Sequence, residues 1–508
     1  MDFPQDQTSQ ARAPWGRAAA AMAAFALVLY AVLLARNEGA VAGGSDSSGY
    51  MNQARLLAAG HVHVQPRTIP GLPRADMPPF LYVPLGFKPA PDGDGMVPTY
   101  PAGFSLFVVA LRPLAGWRYA GDTAAILHAI AGIVATYALG RMLGLGRKWS
   151  VLGAAVVAAS PLYLLMSLMA MSDVPSLAWT TLAVLAALKS HQRPAWALAA
   201  GAAMSVDVLL RPANTLAFLP VAVALGMSPR RWLLFVLGGL PGAAFFGAHS
   251  LAAYGSVGAT GYGDASGNFG VRFVRPTLLH YAVWIPALFT PVVALCAGLP
   301  WLASVRAHTR WLLGAWILPF AAFYSAYLCT HETWWYLRFL LPAVPPIVVG
   351  SLLVLRRLCA RGPGRSVADL APLTLAAALA LVAACSGCLS HYLHPFAIGR
   401  TEHQYERITD WMAKNVPGDA ICVTMQASGA IFYYTDFTFI RWDFVNSGNV
   451  GRIEAAIRSS RRPLYAVLFP FEVDESHVLD RRMPGHWSHA GAVGNVLIMR
   501  RDFDAPKS

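Results

Sequence analysis

The chain has 508 residues, of which 56% are hydrophobic and only 13% are charged, and its mean hydropathy is +0.47. Soluble globular proteins carry about 25% charged residues, so this composition excludes a soluble protein and fits many membrane spans. The net charge of +13 falls in short clusters between apolar runs, which suits membrane topology better than nucleic-acid binding. We therefore expect the lipid bilayer as a partner and no nucleic acid.

Apolar segments recur along the chain up to about residue 390. A bilayer-spanning helix needs about 20 apolar residues, and several of these segments are shorter. The candidate spans are residues 16–35, 120–140, 150–170, 174–189, 195–210, 213–227, 232–254, 281–303, 311–330, 340–355 and 371–391. The stretch 195–227 could be divided differently, so we predict about 11 transmembrane helices, give or take one.

Basic residues mark every second loop between these segments. They are Arg12 and Arg17 before the first span, then Arg141, Arg147, Lys148, Lys189, Arg193, Arg230, Arg231, Arg306, Arg310, Arg356, Arg357, Arg361 and Arg365, with Asp369 as the one acid of those five loops. Loops rich in Lys and Arg stay in the cytoplasm. We predict a multi-pass protein of the bacterial plasma (inner) membrane with a cytoplasmic N-terminus and an extracytoplasmic C-terminal domain.

The N-terminal segment has a second interpretation, a cleaved signal peptide, because Ala40-Val41-Ala42 fits the small-residue cleavage rule. The apolar run is longer than in signal peptides, and Arg36 and Glu38 intervene before the site. We favour an uncleaved anchor. Both interpretations put residue 46 outside the membrane.

Residues 36–119 form a large first outer loop. Its start, Tyr50 to Gly60, predicts a short helix ended by glycine, and eight prolines between residues 66 and 91 exclude long helices after it. A second helical piece, 100–111, is too short to span before Arg112 and Pro113, so we expect it along the membrane surface. The alternative, a true span, would spoil the charge alternation.

Five short motifs lie in or next to the outer loops, and together they resemble a known family. They are Ser45-Asp46-Ser-Ser-Gly-Tyr50 with Gly60, Thr99-Tyr100-Pro101-Ala-Gly103-Phe, Met171-Ser-Asp173-Val-Pro175, Leu210-Arg211-Pro212 and Tyr336-Leu-Arg338-Phe-Leu-Leu-Pro342. Over residues 15–390 the chain resembles polyprenyl-phosphate-sugar-dependent membrane glycosyltransferases, which include protein O-mannosyltransferases and aminoarabinose transferases. The resemblance implies a polytopic α-helical membrane protein of the GT-C fold.

The chain departs from that family in two places. Some members have an arginine three residues after the first acid, where this chain has Gly49. Some have a lysine just before the second motif, where this chain has Thr99, with Lys88 the nearest lysine. Both departures concern recognition of the donor phosphate.

Two acids are the candidate catalytic residues. The resemblance implies that Asp46 is the general base, whereas its position shortly before a helix also suits a helix cap. For Asp173 it implies an auxiliary or acceptor-side acid, and a plain N-cap before Pro175 is the alternative.

The candidate donor phosphate- and sugar-binding residues are Arg211, Arg338, Lys88, Tyr50, Tyr100, His331 and Glu332. An arginine near membrane depth needs an anionic partner, which for Arg211 is either a lipid phosphate or Asp207 one turn earlier. Arg338 lies in an aromatic cluster, where it either snorkels at the interface or contacts phosphate beside a stacked sugar.

The pair His331 and Glu332 could be catalytic, metal-binding or merely solvated. Two adjacent residues without a third ligand are weak evidence for a metal site. We therefore expect no metal site and no divalent metal requirement, with a polyprenyl-phosphate sugar as donor substrate and no certain cofactor.

The tail, residues 393–508, predicts a small extracytoplasmic α/β domain that follows a membrane glycosyltransferase domain of residues 1–392. Helices are predicted at 402–415, 428–434, 449–459 and 472–482, and strands at 420–425, 464–469 and 495–499. Strands that alternate with helices favour a mostly parallel sheet. The tail has no Gly-rich phosphate-binding motif, so we expect a structural or acceptor-binding module.

The expected function is inverting sugar transfer from a polyprenyl-phosphate donor to a lipid, glycan or protein acceptor on the extracytoplasmic face. The alternatives are a transporter or flippase, or an assembly protein, for lipid-linked cell-envelope glycans. A transporter should show internal repeats and charges near the bilayer midplane, and the sequence shows neither. The sequence identifies neither the donor sugar nor the acceptor.

Overall fold

The computed structural model describes residues 14–359 and 370–503, so Arg12, Arg361, Arg365 and Asp369 lie outside the described residues. Most of the described chain is helical. The α-helices are α1 (Pro14–Arg36), α2 (Ser45–Ala58), α3 (Gly103–Met142), α4 (Arg147–Ala159), α5 (Pro161–Ser167), α6 (Asp173–Lys189), α7 (Trp196–Leu210), α8 (Phe218–Leu225), α9 (Pro229–Tyr254), α10 (Val274–Leu288), α11 (Ala307–Ser325), α12 (Val344–Cys359), α13 (Pro372–Leu393), α14 (Ala397–Asn415), α15 (Ser428–Tyr434), α16 (Val450–Ser460), α17 (Pro470–Asp474) and α18 (Val478–Arg481).

Short 3-10 segments connect or extend these helices. They are Arg74–Asp76, Pro212–Ala217, Ser266–Asn268, Val271–Phe273, Pro291–Trp301, Leu328–His331, Trp334–Ala343 and Trp442–Phe444. The strands are β1 (Phe87–Pro89), β2 (Met96–Pro98), β3 (Ile421–Val423), β4 (Thr438–Ile440), β5 (Leu464–Leu468), β6 (Trp487–Val493) and β7 (Val496–Arg501).

Each predicted apolar segment corresponds to a helix or to a bent pair of helical pieces. Five helical stretches of the described chain are long and apolar enough to cross a membrane, or up to seven if each bent pair is one span. The two breaks, of 63° and 117°, fall before Pro161 and Pro291, because a residue that precedes proline is pushed out of the helical region. The total of about 11 spans stays a prediction.

The predicted surface helix and the span after it lie within α3, which breaks at Gly116 (φ 67°, ψ 172°). Before the break, Phe104, Ser105 and Val108 are buried against the rest of the protein. The helix therefore changes direction where the sequence predicted a boundary, near Pro113.

One hydrophobic core joins the helices from α3 to α8 with α11 and α12. Within it α6 and α7 pack side by side, and α7 also packs along α9. The segment Ala40 to Ala42, which the alternative interpretation takes as a signal-peptide cleavage site, is packed into the fold, since these residues are buried and the Ala40 amide donates to Asp122 at 2.9 Å. The first outer loop contains a small antiparallel hairpin of β1 and β2.

The tail contains a five-stranded sheet in the order β4-β3-β5-β7-β6. Only β4, β3 and β5 are parallel, and β7 runs antiparallel to both of its neighbours. The prediction of a mostly parallel sheet was wrong, because it missed β6, whose residues are largely exposed and lack an apolar run, and β7 returns from β6 in a hairpin that runs antiparallel to β5. It also missed β4, which has three residues and pairs in parallel with β3.

The tail packs on α2 of the first outer loop. Asn52 Nδ2 donates to the Gly429 carbonyl at 3.0 Å, and Arg55 donates to the Tyr433 carbonyl. Both acceptors lie on α15. These contacts fix the tail beside the helix that carries Asp46.

Candidate active site

Asp46 lies in the first turn of α2, whose N-cap residue is Gly44. Asp46 is therefore not the N-cap of this helix, as one alternative had it. Instead, Arg338 Nη2 donates to Asp46 Oδ2 at 2.9 Å. The Asp46 side chain is 27% exposed, so its partner holds it without closing it off from solvent.

Asp173 is the first residue of α6, and it does not cap that helix either. Its side chain is fully buried, 2.7 Å from Arg211 Nη2 and 3.9 Å from Arg338 Nε. Asp46, Arg338, Asp173 and Arg211 therefore form one chain of alternating charges, which we call the four-charge cluster. Burial of a carboxylate is stable only beside such cationic partners.

Arg211 reaches the cluster because α7 ends before it. Pro212 follows Arg211 and favours the extended backbone seen there (φ −150°, ψ 116°), which turns the arginine away from the face of α7. The alternative prediction that Arg211 pairs with Asp207 was therefore wrong, because the Asp207 carboxylate accepts hydrogen bonds from Thr180 and Asn214 instead.

One nitrogen of Arg211 stays available. Its Nε donates to Ser172 Oγ at 3.1 Å and its Nη2 pairs with Asp173. Its Nη1 is buried without a hydrogen-bond partner among the described residues. A buried guanidinium N–H without an acceptor is costly, so this position favours an added anion.

Arg338 lies in the 3-10 segment Trp334–Ala343, and its side chain is 15% exposed. It pairs with Asp46 inside the protein, so it does not snorkel to an interface as one alternative predicted. The Phe339 ring lies 5.2 Å from the guanidinium carbon of Arg338 and 5.2 Å from that of Arg211. This ring packs both cations in place through cation–π contacts.

Tyrosines line the same site. Tyr50 donates to Ser172 Oγ at 2.9 Å, and its ring lies 5.1 Å from that of Tyr100. The Tyr100 hydroxyl lies 3.1 Å from Ser45 Oγ, and its ring lies 6.3 Å from that of Tyr262. Burial first, and then the nearby Asp46 carboxylate, raise the pKa of Tyr100 well above its usual value. The phenol therefore stays protonated and can donate.

Three predicted site residues lie in other contacts. Lys88 Nζ donates to the Thr260 carbonyl at 3.3 Å and lies 4.9 Å from the Tyr254 ring centre. His331 stacks on the Phe273 ring at 5.8 Å, and Glu332 is exposed. Within residues 14–359 and 370–503 there is no group of three or more His, Cys, Asp or Glu residues that could hold a metal ion.

The glycine that replaces the family's arginine has a packing role. A Cβ atom on Gly49 would lie 2.5 Å from Tyr100 Cδ2 and 3.0 Å from the Cα atom of Gly86. The connector after α2 thus packs directly on the helix backbone. This close approach leaves no room for a side chain at position 49.

Sequence reasoning missed four residues near the site: Ser172, Tyr262, Phe339 and Glu402. Ser172 and Phe339 lie inside two of the quoted motifs, next to Asp173 and Arg338, and that position was the signal that could have identified them. Tyr262 and Glu402 lie far from the motifs in sequence and carry no local signal.

Comparisons with known proteins address the fold. The sequence matches no family model, and no curated protein matches it. Among solved structures, ArnT from Cupriavidus metallidurans in the apo state superposes with a TM-score of 0.60 at 13% identity, over 95% of this chain and 98% of that one. The same protein bound to undecaprenyl phosphate gives 0.59, at 13% identity over 95% and 99% of the two chains.

Two other membrane enzymes share the architecture. The Archaeoglobus fulgidus oligosaccharyltransferase, tethered with an acceptor peptide, gives a TM-score of 0.52 at 13% identity over 94% of this chain and 74% of that one. The arabinofuranosyltransferase AftD from Mycobacteria gives 0.51 at 14% identity over 93% and 39%. The chain therefore shares the GT-C fold of these solved structures, as the resemblance predicted.

Proposed function

We propose that the protein is an integral membrane glycosyltransferase that moves a sugar from a polyprenyl-phosphate donor to a lipid, glycan or protein acceptor on the extracytoplasmic face. The observation that carries the proposal is the four-charge cluster, in which a partly exposed carboxylate lies beside two arginines. The fold supports it, since one solved neighbour is bound to undecaprenyl phosphate.

The two carboxylates have different surroundings, and we infer different roles from them. Asp46 is 27% exposed and has one cationic partner, so an acceptor hydroxyl can reach it. Asp173 is fully buried between two arginines. Asp46 therefore suits the general base, and Asp173 suits a counter-ion that orients Arg211 and Arg338.

The two arginines suit the donor phosphate. With Asp46 and Asp173 ionised, the cluster is neutral, and the unpartnered Nη1 of Arg211 can donate to a phosphate oxygen. Guanidinium groups bind phosphate with directional, charge-assisted hydrogen bonds. Lys88 faces a carbonyl and a tyrosine ring, which favours the arginines over it.

The reaction is a single displacement. The acceptor oxygen attacks the anomeric carbon, its proton passes to the Asp46 carboxylate, and the bond from that carbon to the phosphate oxygen breaks. The electron pair of that bond stays with polyprenyl phosphate, whose charge the arginines stabilise. One displacement inverts the anomeric centre. Because the cations come from arginine, we propose that the reaction needs no divalent metal.

The membrane arrangement follows from the charge alternation along the chain. It puts the first outer loop and the tail on the extracytoplasmic side, with the N-terminus in the cytoplasm. The bacterial inner membrane remains our proposed location.

The test is an assay of sugar transfer in membranes that contain the native protein or Asp46→Asn. Mass spectrometry of envelope lipids, glycans and proteins identifies the product. The matched control is Asp76→Asn, since Asp76 belongs to the same outer loop but forms an exposed pair with Arg452. We expect loss of product with Asp46→Asn alone. Equal product from both variants at equal protein level would exclude Asp46 as the base.

A further inference from the structure

One buried acid of the tail reaches into the candidate active site. Glu402 lies on α14, which follows the last apolar helix, α13. The charged residues of α14 are Arg400, Glu402, Glu406, Arg407, Asp410 and Lys414. Most of these are at least partly exposed, whereas Glu402 is only 5% exposed and faces the start of α2.

The contact of Glu402 is with the backbone just before Asp46. The Gly44 amide donates to Glu402 Oε2 at 3.2 Å. The first N–H groups of a helix have no partner within the helix, so an acceptor from outside fixes how its first turn lies. Gly44 lies two residues before Asp46.

The backbone at Gly43 approaches the end of the Glu402 side chain closely. A Cβ atom on Gly43 would lie 1.9 Å from Glu402 Oε2. A larger residue at position 43 would displace the Glu402 carboxyl from the position in which it accepts the Gly44 amide, so the turn at Gly43 and Gly44 packs directly on this carboxyl group.

We propose that Glu402 is a positioning residue, which holds the turn before α2 so that Asp46 meets Arg338 and the acceptor, and whose charge tunes Asp46. The inference rests on the proposed function. It makes the tail a contributor to the reaction rather than only a structural or acceptor-binding module. Glu402 binds the backbone amide of Gly44, so it acts on the sugar acceptor only indirectly, through the position of Asp46.

The charges around Glu402 explain the tuning. Asp46 faces it from α2, Tyr405 adjoins it on α14, α15 contributes no charged side chain, and β6 packs against Trp411 further along α14. Burial first, and then the Asp46 charge, raise the pKa of Glu402 to about 7. Above that pH the ionised Glu402 adds a negative charge near Asp46, which favours movement of the acceptor proton toward that site.

The experiment compares Glu402→Gln and Glu402→Ala in the full chain. The matched control is Glu406→Gln, one turn later on α14, where the acid pairs with Arg118 at 3.2 Å. Hydrogen–deuterium exchange of the peptide that contains Gly44 reports the turn without any assay of function. Sugar transfer is then measured as a function of pH.

Glu402→Ala should lose protection at Gly44 and at least about tenfold in transfer, the scale expected for a lost hydrogen bond to a charged group. Glu402→Gln should keep the protection, because its amide oxygen accepts the same hydrogen bond, but its transfer should not rise through about pH 7 as native transfer does. Glu406→Gln should behave as native in both measurements.

Native exchange at Gly44 in Glu402→Ala would overturn the positioning role, and a native pH profile in Glu402→Gln would overturn the tuning. If Glu402→Ala does not fold, the pH profile of Glu402→Gln decides. A failure of the proposed function looks different, since Asp46→Asn would then transfer as the native protein does whatever the exchange data show.

Discussion

Substitutions of Asp46 and Asp173 should have different effects on sugar transfer and on the free energy of unfolding. Each is replaced by asparagine, which keeps the shape of the side chain and removes its charge. Asp173 is fully buried between Arg211 and Arg338, whereas Asp46 is 27% exposed and pairs with Arg338. The two variants therefore leave different numbers of cations without a partner.

The magnitudes follow from burial. Asp173→Asn leaves two largely buried guanidinium groups with one remaining carboxylate, and removal of one partner from a buried ion pair costs about 3–5 kcal/mol. In Asp46→Asn, Arg338 keeps Asp173 nearby, so the loss of free energy of unfolding should be about 1 kcal/mol or less, as for exposed pairs. Removal of a general base should lower the transfer rate by about 10²–10⁴-fold.

The assays are the thermal midpoint of unfolding in detergent and sugar transfer in membranes. For a chain of this length, about 1 kcal/mol corresponds to roughly 1 °C, so Asp173→Asn should unfold about 3–5 °C earlier than the native protein. Asp46→Asn should unfold close to the native midpoint, yet lose transfer. It should bind polyprenyl phosphate at least as tightly as the native protein, because it removes a negative charge beside Arg338.

A native midpoint in Asp173→Asn would refute the argument that Asp173 compensates both arginines. Weaker polyprenyl-phosphate binding in Asp46→Asn would show instead that Asp46 orders the donor site through Arg338. Either result would change the assigned roles, even if transfer is lost in both variants.

Three further predictions concern single positions. Arg211→Met should weaken polyprenyl-phosphate binding at least about tenfold, the scale of a lost hydrogen bond to a charged group, whereas Lys88→Met should change it less than about threefold. Native mass spectrometry measures binding to both variants, and equal losses would show that Lys88 also binds the donor phosphate. Gly49→Arg should cost about 1–3 kcal/mol of stability, because its Cβ atom would meet the neighbouring tyrosine ring at 2.5 Å, and Gly258→Arg, which meets nothing within 4 Å, is the control for folded yield. Glu402→Gln should stabilise the protein at about pH 8. Burial raises the pKa of Glu402 from 4.5 to about 7, so the free energy of unfolding of the native protein falls by about 3 kcal/mol as the pH rises through that window. The glutamine variant has no carboxyl group to ionise and should not show this loss. A thermal midpoint of Glu402→Gln that does not exceed the native one at about pH 8, or exceeds it equally at about pH 5, would contradict this reasoning.

Several features of the site could be predicted from the sequence because they depend on local chemistry. Asp46 and Asp173 lie within short motifs at helix starts, and Arg211 precedes a proline that ends a helix. The large first outer loop and the break near Gly116 follow from proline, glycine and apolar patterning. The GT-C fold followed from the order of these motifs, although identity to the solved neighbours is only 13–14%.

Other features could not be predicted, because they join residues far apart in sequence. Arg338 and Asp46 are 292 positions apart, and only the packed fold shows that they form an ion pair. The sequence offered a lipid phosphate or Asp207 as the partner of Arg211 and did not suggest Asp173. The pairing with Asp173 depends on where the backbone turns after α7, which decides the direction of the side chain. The mixed sheet escaped prediction because β6 has no apolar alternation.

The sequence by itself determined the apolar helices, the charged loops and the identity of the candidate acids and arginines, because hydropathy, proline and charge act within a few residues of their own position. Only the tertiary structure decided which charges meet, and it brought Glu402 of the tail to the turn before Asp46 across 358 positions. The physical reason is that ion pairs and buried hydrogen bonds depend on distances of about 3 Å, which the packing of whole helices sets and no local pattern encodes.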